Sequence, residues 1–415
     1  MYLFVVPWPV VEEGGLNQVV LNLVRQFRTS GAYTPWIWVT SWEHRRPSTM
    51  TREDGTFVTY MRIRSPIVPG VRAARAAARI AKWFAVLVPE LLRIAHFLRV
   101  NHVAYVNLHY PSLAALQVVL TRSLCARRVK IILSFHGLDL ARAGRTRGLE
   151  RWMWRVLLRQ SDAVVTCSNA ETELVLRFAP AVRARAATIH NGIDIEEAMR
   201  ARNRAAQIDP RLRERRFILS VASYEPKKGL DTLLRAFRIV RDEHRIDAKL
   251  ALVGPDLGIG EQLRELAARL GVSGQVVFCG ELPHRDLHAY YASASVFCLC
   301  SRAEPFGIVL LEAGAFRCPV VATSVGGIPE ILKHDVNACL VPPDDPVALG
   351  AELRRLLCDR ETSERLSEAL YRHIDDNFTW SRAHGGYMSL VDRLDTAGRR
   401  PASVSCGSRK NGDAS

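Results

Sequence analysis

The sequence has little of what marks membrane-spanning or secreted chains. A membrane-spanning helix needs about 20 mostly apolar residues, and the most apolar stretch, within residues 67–100, is too short and too charged to be one. No basic segment followed by an apolar run and a cleavage site occurs near Met1, so no signal peptide is predicted. The nine cysteines are odd in number and contain no C-x-x-C pair, which favours reduced thiols and a cytoplasmic location.

Several ligand signatures are absent too. No G-x-G-x-x-G follows a predicted strand, which disfavours a dinucleotide oxidoreductase. The adjacent Asp344 and Asp345 are expected to begin a helix rather than to bind a metal ion, and no metal or cofactor is predicted. The chain is basic, with a net charge of +15, but it has no helix-turn-helix, aromatic RNA-binding strand or zinc motif. A nucleic-acid-binding protein is therefore a weak alternative, and no nucleic acid partner is predicted.

Acidic residues are scarce in the first half of the chain. Residues 1–210 hold 29 of the 57 basic residues but only 15 of the 42 acidic ones. Glu90 is the one acidic residue between positions 55 and 138, against 12 basic residues. This asymmetry predicts a surface that attracts phosphates or anionic lipid headgroups, although an ordinary arginine-rich solubilising surface explains it equally well.

Strands and helices alternate along most of the chain, which predicts an α/β fold with two doubly wound, Rossmann-like domains facing across a cleft. Residues 43–66 are predicted to be irregular. The predicted boundaries are a first domain at residues 1–195, an arginine-rich linker at 196–216, a second domain at 217–375, a C-terminal helix at 376–397 and a disordered tail at 398–415.

Two carboxylates eight residues apart organise the second half of the chain. Pro305 and Gly307 end a strand, and the residues from Ile308 onward favour a helix with Ile308, Leu311 and Ala315 facing inward, so Glu304 precedes this helix and Glu312 lies inside it. The two carboxylates are then about 10 Å apart, with a partly positive helix start between them. That spacing suits an elongated anionic ligand. It does not suit a glycosidase, whose carboxylates face each other across one bond.

Other loops at strand ends are predicted to contact anions. Gly14 and Gly15 lie between a strand and a helix, where small residues let backbone N–H groups approach a phosphate, although a plain turn is also possible. Lys228 ends the loop after the strand Phe217–Val221, and Gly254 ends the next strand. His109 and His136 follow two further strands, and Asp139 is close by, so both histidines are expected to face the cleft.

Glu304-x7-Glu312 followed by Gly326-Gly327-Ile328-Pro329-Glu330 resembles the signature of retaining, two-domain (GT-B) glycosyltransferases of family 4, strongly over residues 217–345. The resemblance implies that the first domain binds the acceptor, that the second binds a nucleoside diphosphate sugar as donor, and that the C-terminal helix crosses back to the first domain. It also implies His136, Lys228 and Glu304 as catalytic residues. Glu312 would bind the ribose, Glu304 the sugar, and Lys228 with Gly15 the diphosphate. The remaining implied donor contacts are Gly14, Ser223, Gly254, Phe306, Gly307, Ile308 and Val309.

One position departs from the family pattern. Ser223 stands where relatives carry an arginine that grips the diphosphate with Lys228, and Lys227 and Arg302 are candidates to replace it. A non-hydrolysing sugar-nucleotide epimerase of the same fold is an alternative reading of the same motifs.

The acceptor is expected to be a saccharide or a lipid-linked saccharide in bacterial polysaccharide or glycolipid synthesis, contacted by His109 and Asp139. Residues 67–100 combine basic and aromatic residues, which favours a helix lying peripherally on the inner face of the plasma membrane, with a buried helix as the alternative.

Overall fold

The structure is a computed structural model that describes residues 1–10, 15–40, 46–67, 73–202, 208–213, 215–242 and 245–398. Gly14, part of the predicted linker and all but the first residue of the predicted tail lie outside these ranges. Within them the chain forms two sheets, one of eight strands and one of six.

The first sheet has the strand order β3-β4-β2-β1-β5-β6-β7-β8. Its strands pair in parallel except for β3, which runs antiparallel to β4 at the edge. The strands are β1 (Tyr2–Val6), β2 (Pro35–Val39), β3 (Ser48–Thr51), β4 (Phe57–Tyr60), β5 (Tyr105–His109), β6 (Lys130–Phe135), β7 (Ala163–Thr166) and β8 (Ala186–Thr188).

The second sheet is parallel throughout, with the order β11-β10-β9-β12-β13-β14. Its strands are β9 (Phe217–Val221), β10 (Lys249–Val253), β11 (Val276–Gly280), β12 (Val296–Leu299), β13 (Val320–Thr323) and β14 (Cys339–Val341). Both sheets place the ends of several strands at one edge, which is where open parallel sheets bind ligands.

Helices connect the strands and cover both sheets. They are α1 (Gly15–Ser30), α2 (Ala73–Val100), α3 (Ala115–Cys125), α4 (Leu138–Arg145), α5 (Gly148–Gln160), α6 (Asn169–Phe178), α7 (Ile195–Arg202), α8 (Leu230–Asp242), α9 (Gly260–Arg269), α10 (His284–Ser293), α11 (Ile308–Ala315), α12 (Ile328–Ile331), α13 (Pro346–Cys358), α14 (Arg360–Asn377) and α15 (Trp380–Gly398). Each sheet buries an apolar cluster on both faces, as a parallel sheet between two helix layers must.

The predicted two-sheet α/β architecture is confirmed, and the strand Phe217–Val221 has the predicted bounds. The prediction that residues 43–66 are irregular was wrong, because they contain β3 and β4. The strand β3 was missed because its sequence, Ser-Thr-Met-Thr, is exposed throughout and lacks the alternation of apolar and polar residues that predicts a strand. The helix in residues 67–100 continues through Pro89 as α2.

The last helix crosses back onto the first sheet. Trp380, Tyr387 and Leu390 of α15 are buried in a cluster with residues of β1 and α1. The Tyr387 hydroxyl lies 3.1 Å from Oγ of Ser134 at the end of β6. The C-terminal helix is thus held on the first sheet by packing that includes a buried polar contact.

Candidate functional site

Lys228 and Glu304 come from different loops and meet in an ion pair. Pro226–Lys228 form one turn of 3-10 helix after β9, and Gly229 follows with φ of +65°. A Cβ on Gly229 would lie 2.1 Å from the Cys300 carbonyl oxygen, so only glycine allows this loop to approach the end of β12 so closely. The approach brings Lys228 Nζ to 2.8 Å from Glu304 Oε2.

Ser301 supports the same carboxylate, since its hydroxyl donates to Glu304 Oε2 at 3.1 Å. Both members of the pair are largely buried. An ammonium group has three N–H donors. Contact with Glu304 uses one of them, which leaves Lys228 able to bind a ligand oxygen without breaking the pair.

The two cations expected to replace the missing arginine are engaged elsewhere. Lys227 pairs with Glu225 at 3.1 Å, and Ser223 donates to the same carboxylate at 2.7 Å. Arg302 pairs with Asp231 at 2.8 Å and with Asp344 at 2.7 Å, and its backbone and side chain also bond the Pro226–Lys227 turn. Both cations therefore have carboxylate partners in the fold, and contact of either with a diphosphate stays a prediction.

Glu312 is held in α11 by two partners that the sequence reasoning missed. His284 Nε2 lies 2.9 Å from its Oε1, and the Tyr291 hydroxyl donates to its Oε2 at 2.6 Å. Burial raises the pKa of Glu312, but the bonds from His284 and Tyr291 outweigh it and the net shift is downward. Burial lowers the pKa of His284 and the bond to Glu312 raises it, with a net upward shift. The sequence feature that could have indicated His284 as a site residue is its position shortly after the end of β11.

The start of α11 lies between the two carboxylates, as predicted. Gly307 precedes the helix with φ of +95°, and Phe306 is buried with its ring stacked 5.6 Å from that of His190. Ile308 and Val309 are half-buried, whereas the rest of the helix is buried, so the predicted inward position of Ile308 is only partly met. The side chain of Phe306 therefore packs, and only its backbone is available to a donor.

The paired glycines of the motif serve the Glu304 loop. The Gly327 N–H donates to the Glu304 carbonyl oxygen at 3.0 Å. A Cβ on Gly326 would lie 2.0 Å from that same oxygen, and its φ is +54°. Bulkier residues would displace Glu304, so the glycines fix the position of the carboxylate.

On the opposite wall, His109 and His136 form a stacked pair. Their rings lie 5.2 Å apart, and His109 Nδ1 is 3.0 Å from His136 Nε2. Burial lowers the pKa of His136 to about 3 and that of His109 well below its usual value, so both rings are neutral at physiological pH. His109 is 1% exposed, so the prediction that it faces the cleft was wrong: it is the last residue of a central strand and contacts His136 instead.

Asp139 is buried and bonded to its own loop. Its carboxylate accepts hydrogen bonds from the backbone N–H groups of His136 and Leu140. Burial raises its pKa to about 6, and burial with the nearby Asp139 charge raises the pKa of Glu171 to about 7. Asp139 thus positions the His136 loop, and its contact with an acceptor stays a prediction. Glu171, in the first turn of α6, was not predicted.

The two halves of the molecule touch at this wall. A Cβ on Gly137 would lie 2.1 Å from Pro305 Cγ, so the His136 loop abuts the Glu304 loop. Glu330 reaches from the second half to the start of α6, where its carboxylate accepts from the N–H groups of Asn169 and Ala170 at 2.9 and 3.0 Å. His190 Nε2 lies 2.9 Å from the same carboxylate. Glu330 was part of the sequence motif, but only the structure gives it this bridging contact.

The remaining predicted residues line nearby turns. Gly254 has φ of +147°, and a Cβ there would lie 2.1 Å from the Ala222 carbonyl oxygen, so its loop packs against the one that contains Ser223. Gly15 begins α1.

Among the described residues, none of the helices is long and apolar enough to cross a membrane, and no cluster of three or more acidic, histidine or cysteine side chains is arranged for a metal ion. Asp345 caps α13, as predicted.

Comparison with known proteins agrees with this architecture. Residues 202–373 match the family model for glycosyl transferases group 1, and residues 13–197 match that for Glycosyltransferase Family 4. The D-inositol 3-phosphate glycosyltransferase of Streptomyces avermitilis is 32% identical over 254 residues, which are 59% of this chain and 54% of that relative. The alignment thus spans about half of the relative's length.

Solved structures share the fold over nearly the whole chain. Sucrose-phosphate synthase from Thermosynechococcus elongatus superposes with a TM-score of 0.72 at 20% identity, covering 96% of this chain and all of that one. Anabaena HepE in complex with UDP and glucose superposes with a TM-score of 0.69 at 17% identity, covering 95% and 100%. Together with the two family models, these likenesses show that the chain belongs to the group 1, family 4 glycosyltransferases with the GT-B fold.

Proposed function

We propose that this glycosyltransferase moves a hexose from a nucleoside diphosphate sugar to a saccharide or lipid-linked saccharide, with retention of configuration and without a metal ion. The observation that carries the proposal is the Lys228–Glu304 ion pair of 2.8 Å beside the start of α11, with Glu312 inside the same helix. A cation, a helix start and two separated carboxylates fit a diphosphate with hydroxyl-bearing groups at both ends.

Each residue then has a distinct task. Lys228 and the N–H groups at the start of α11 stabilise the charge that develops on the leaving diphosphate, which is the main electrostatic requirement of transfer. Glu304 accepts hydrogen bonds from the hydroxyl groups of the sugar, and Glu312 accepts hydrogen bonds from the hydroxyl groups of the ribose. His136 is neutral and therefore offers the transferred sugar a hydrogen bond rather than a charge.

A transfer assay tests the proposal. Purified protein is incubated with a panel of nucleoside diphosphate sugars and saccharide acceptors in the presence of a chelator, and the anomeric configuration of the product is read by NMR. Transfer with retention is expected. Conversion of the sugar nucleotide without an acceptor, loss of activity with the chelator, or inversion would each contradict the corresponding part of the proposal.

For the acceptor, the outer face of α2 favours a lipid-linked molecule at an anionic membrane. Phe84, Val88 and Leu92 recur every four residues and are 61, 62 and 59% exposed. Lys82 and Arg99 are exposed on the same helix, in the region where basic residues greatly outnumber acidic ones. An apolar stripe flanked by cations is the arrangement with which a helix lies on an anionic surface.

Vesicle sedimentation tests this part separately. Phe84→Ser, Val88→Ser and Leu92→Ser are combined, and the matched control combines Leu257→Ser, Val336→Ser and Val347→Ser, whose side chains are similarly exposed at 61, 61 and 66%. We expect the control to sediment with vesicles that contain phosphatidylglycerol and the α2 variant to remain in solution. Equal sedimentation would exclude α2 as the membrane contact.

A further inference from the structure

A cavity lies beside the first sheet, at the ends of its strands that are opposite to those near His136. It has a volume of about 920 Å³ and is lined by Lys130, Ala163 and Ala186, the first residues of β6, β7 and β8, and by α15. His109 and His136, in contrast, stand at the opposite ends of β5 and β6. The cavity is therefore separate from the proposed donor wall around Lys228, Glu304 and Glu312 and from the proposed acceptor wall around His109 and His136.

Small side chains keep this space open. Ala184 and Ala187 line it on the side of the sheet, and Gly386 and Ser389 line it on the side of α15. A Cβ on Gly386 would lie 3.2 Å from Ile189 Cγ2, so the helix already approaches the sheet closely at that point. The volume falls within the range of about 300 to 1,000 Å³ that is typical of ligand pockets.

The charges around the cavity are strongly unbalanced. Its lining includes one carboxylate, Asp162, and five cations: Arg122, Lys130, Arg159, Arg185 and Arg393. Asp162 is shared by Arg122 at 2.7 Å and Lys130 at 3.8 Å.

The other three cations have no ion pair with a carboxylate among the described residues. Arg185 donates to the carbonyl oxygens of Arg159 and Ser161, both at 2.7 Å, which fixes its guanidinium group at the wall. Arg159 and Arg393 are exposed on two different elements, α5 and α15. Their positive charge is available to a ligand.

We propose that this cavity is a second anion-binding site that takes a phosphate-bearing molecule. Arginine binds phosphate through paired N–H donors, and several arginines around one space favour more than one phosphate oxygen. Such phosphate belongs either to a soluble compound or to a lipid headgroup. The site is independent of the proposed transfer reaction because it shares no residue with Lys228, Glu304 or Glu312.

Calorimetric titration with inorganic pyrophosphate tests the proposal. The test variant combines Arg159→Ala with Arg393→Ala, and the charge-matched control combines the exposed Arg235→Ala and Arg285→Ala in the second half of the chain. Both variants are made in a Lys228→Ala background, so that pyrophosphate bound at the proposed donor wall does not mask the second site. We expect saturable binding in the wild type, in the control and in Lys228→Ala, and binding weakened about tenfold or more in the test variant, since two charge-assisted contacts are lost.

Vesicles of phosphatidylcholine with phosphatidic acid distinguish the two sources. Sedimentation that the test variant loses and the control keeps assigns the phosphate to a lipid headgroup, and equal sedimentation with weakened pyrophosphate binding assigns it to a soluble compound. Equal pyrophosphate affinity in the test and control variants, or no saturable binding to the wild type, would overturn the proposal.

Discussion

The proposed donor wall, around Lys228, Glu304 and Glu312, and the proposed acceptor wall, around His109, His136 and Glu171, hold their ionisable groups in opposite ways. On the donor wall, charges are paired: Lys228 with Glu304 at 2.8 Å and His284 with Glu312 at 2.9 Å. On the proposed acceptor wall, the buried atoms His109 Nε2, His136 Nδ1 and Glu171 Oε2 have no hydrogen-bond partner in the part of the chain that the structure describes. A paired charge is stable before a ligand arrives, whereas a buried unpaired polar group costs stability and is typical of functional sites.

The comparison predicts that removing a charge from the donor wall acts mainly on activity. Lys228→Ala should lower the turnover number about 100-fold or more, because the leaving diphosphate loses a fixed cation in a dry site. The matched control is Lys227→Ala, whose ammonium pairs with Glu225. Steady-state kinetics on both variants checks this, and near wild-type turnover in Lys228→Ala would remove the lysine from the site.

Changes on the acceptor wall should act on stability and its pH dependence. Burial raises the pKa of Glu171 to about 7, above its ordinary value of 4.5, so its stabilising contribution is present at low pH and is lost as the pH rises through about 7. Glu171→Gln cannot ionise and should gain about 2 kcal/mol of unfolding free energy at pH 8 relative to wild type, with little change at pH 4.

Urea unfolding at both pH values measures the effect of Glu171→Gln. Glu173→Gln is the control, because Glu173 is exposed on the same helix. A pH dependence of Glu171→Gln that equals that of the wild type would show that Glu171 is not the group whose ionisation weakens the fold.

A smaller effect on activity is expected from Glu312→Ala. Loss of a carboxylate that accepts ribose hydroxyls should raise KM for the donor about tenfold, with a smaller change in kcat, since a hydrogen bond to a charged group contributes about 1.5 to 3 kcal/mol. Initial rates at varied donor concentration check the split. Glu368→Ala, an exposed surface carboxylate paired with Arg317, is the control, and an unchanged KM in Glu312→Ala would argue against ribose binding.

The smallest effect concerns His136. Its pKa of about 3 lies below the value near 6.5 of an unfolded histidine, so the unfolded chain binds the extra proton and stability falls as the pH drops below about 6.5. Between pH 7 and pH 5, the free energy of unfolding of His136→Gln should fall by about 1 kcal/mol less than that of the wild type. Thermal unfolding at both pH values measures the difference. An identical loss in the two proteins would mean that His136 binds its proton as readily in the folded chain as in the unfolded one.

The sequence predicted the donor wall better than the acceptor wall for a physical reason. Lys228, Glu304 and Glu312 lie in short loops and a helix whose local pattern sets their positions. Their partners Ser301, His284 and Tyr291 follow from packing between separate elements, which no local pattern reports. The ion-pair partners of Arg302 were missed for the same reason, since Asp231 and Asp344 are remote from it in the chain.

On the acceptor wall, strand ends located His109 and His136 but not their depth. A residue at the end of a central strand can lie inside the fold or face the cleft, and the difference depends on the neighbouring strands and on α15. The only sequence feature at Glu171 was its place at a helix start. Ser168 caps α6 by accepting a hydrogen bond from the Glu171 N–H at 3.1 Å. Its burial near Asp139 depends on tertiary packing.

The most direct test of the donor wall is a thermal-shift panel of nucleoside diphosphate sugars on the wild type, Lys228→Ala and Lys227→Ala, each compared with its own ligand-free Tm. At least one sugar nucleotide should raise the Tm of the wild type and of Lys227→Ala but leave Lys228→Ala unchanged. An equal rise in Lys228→Ala would contradict the assignment of the Lys228–Glu304 pair to the donor site.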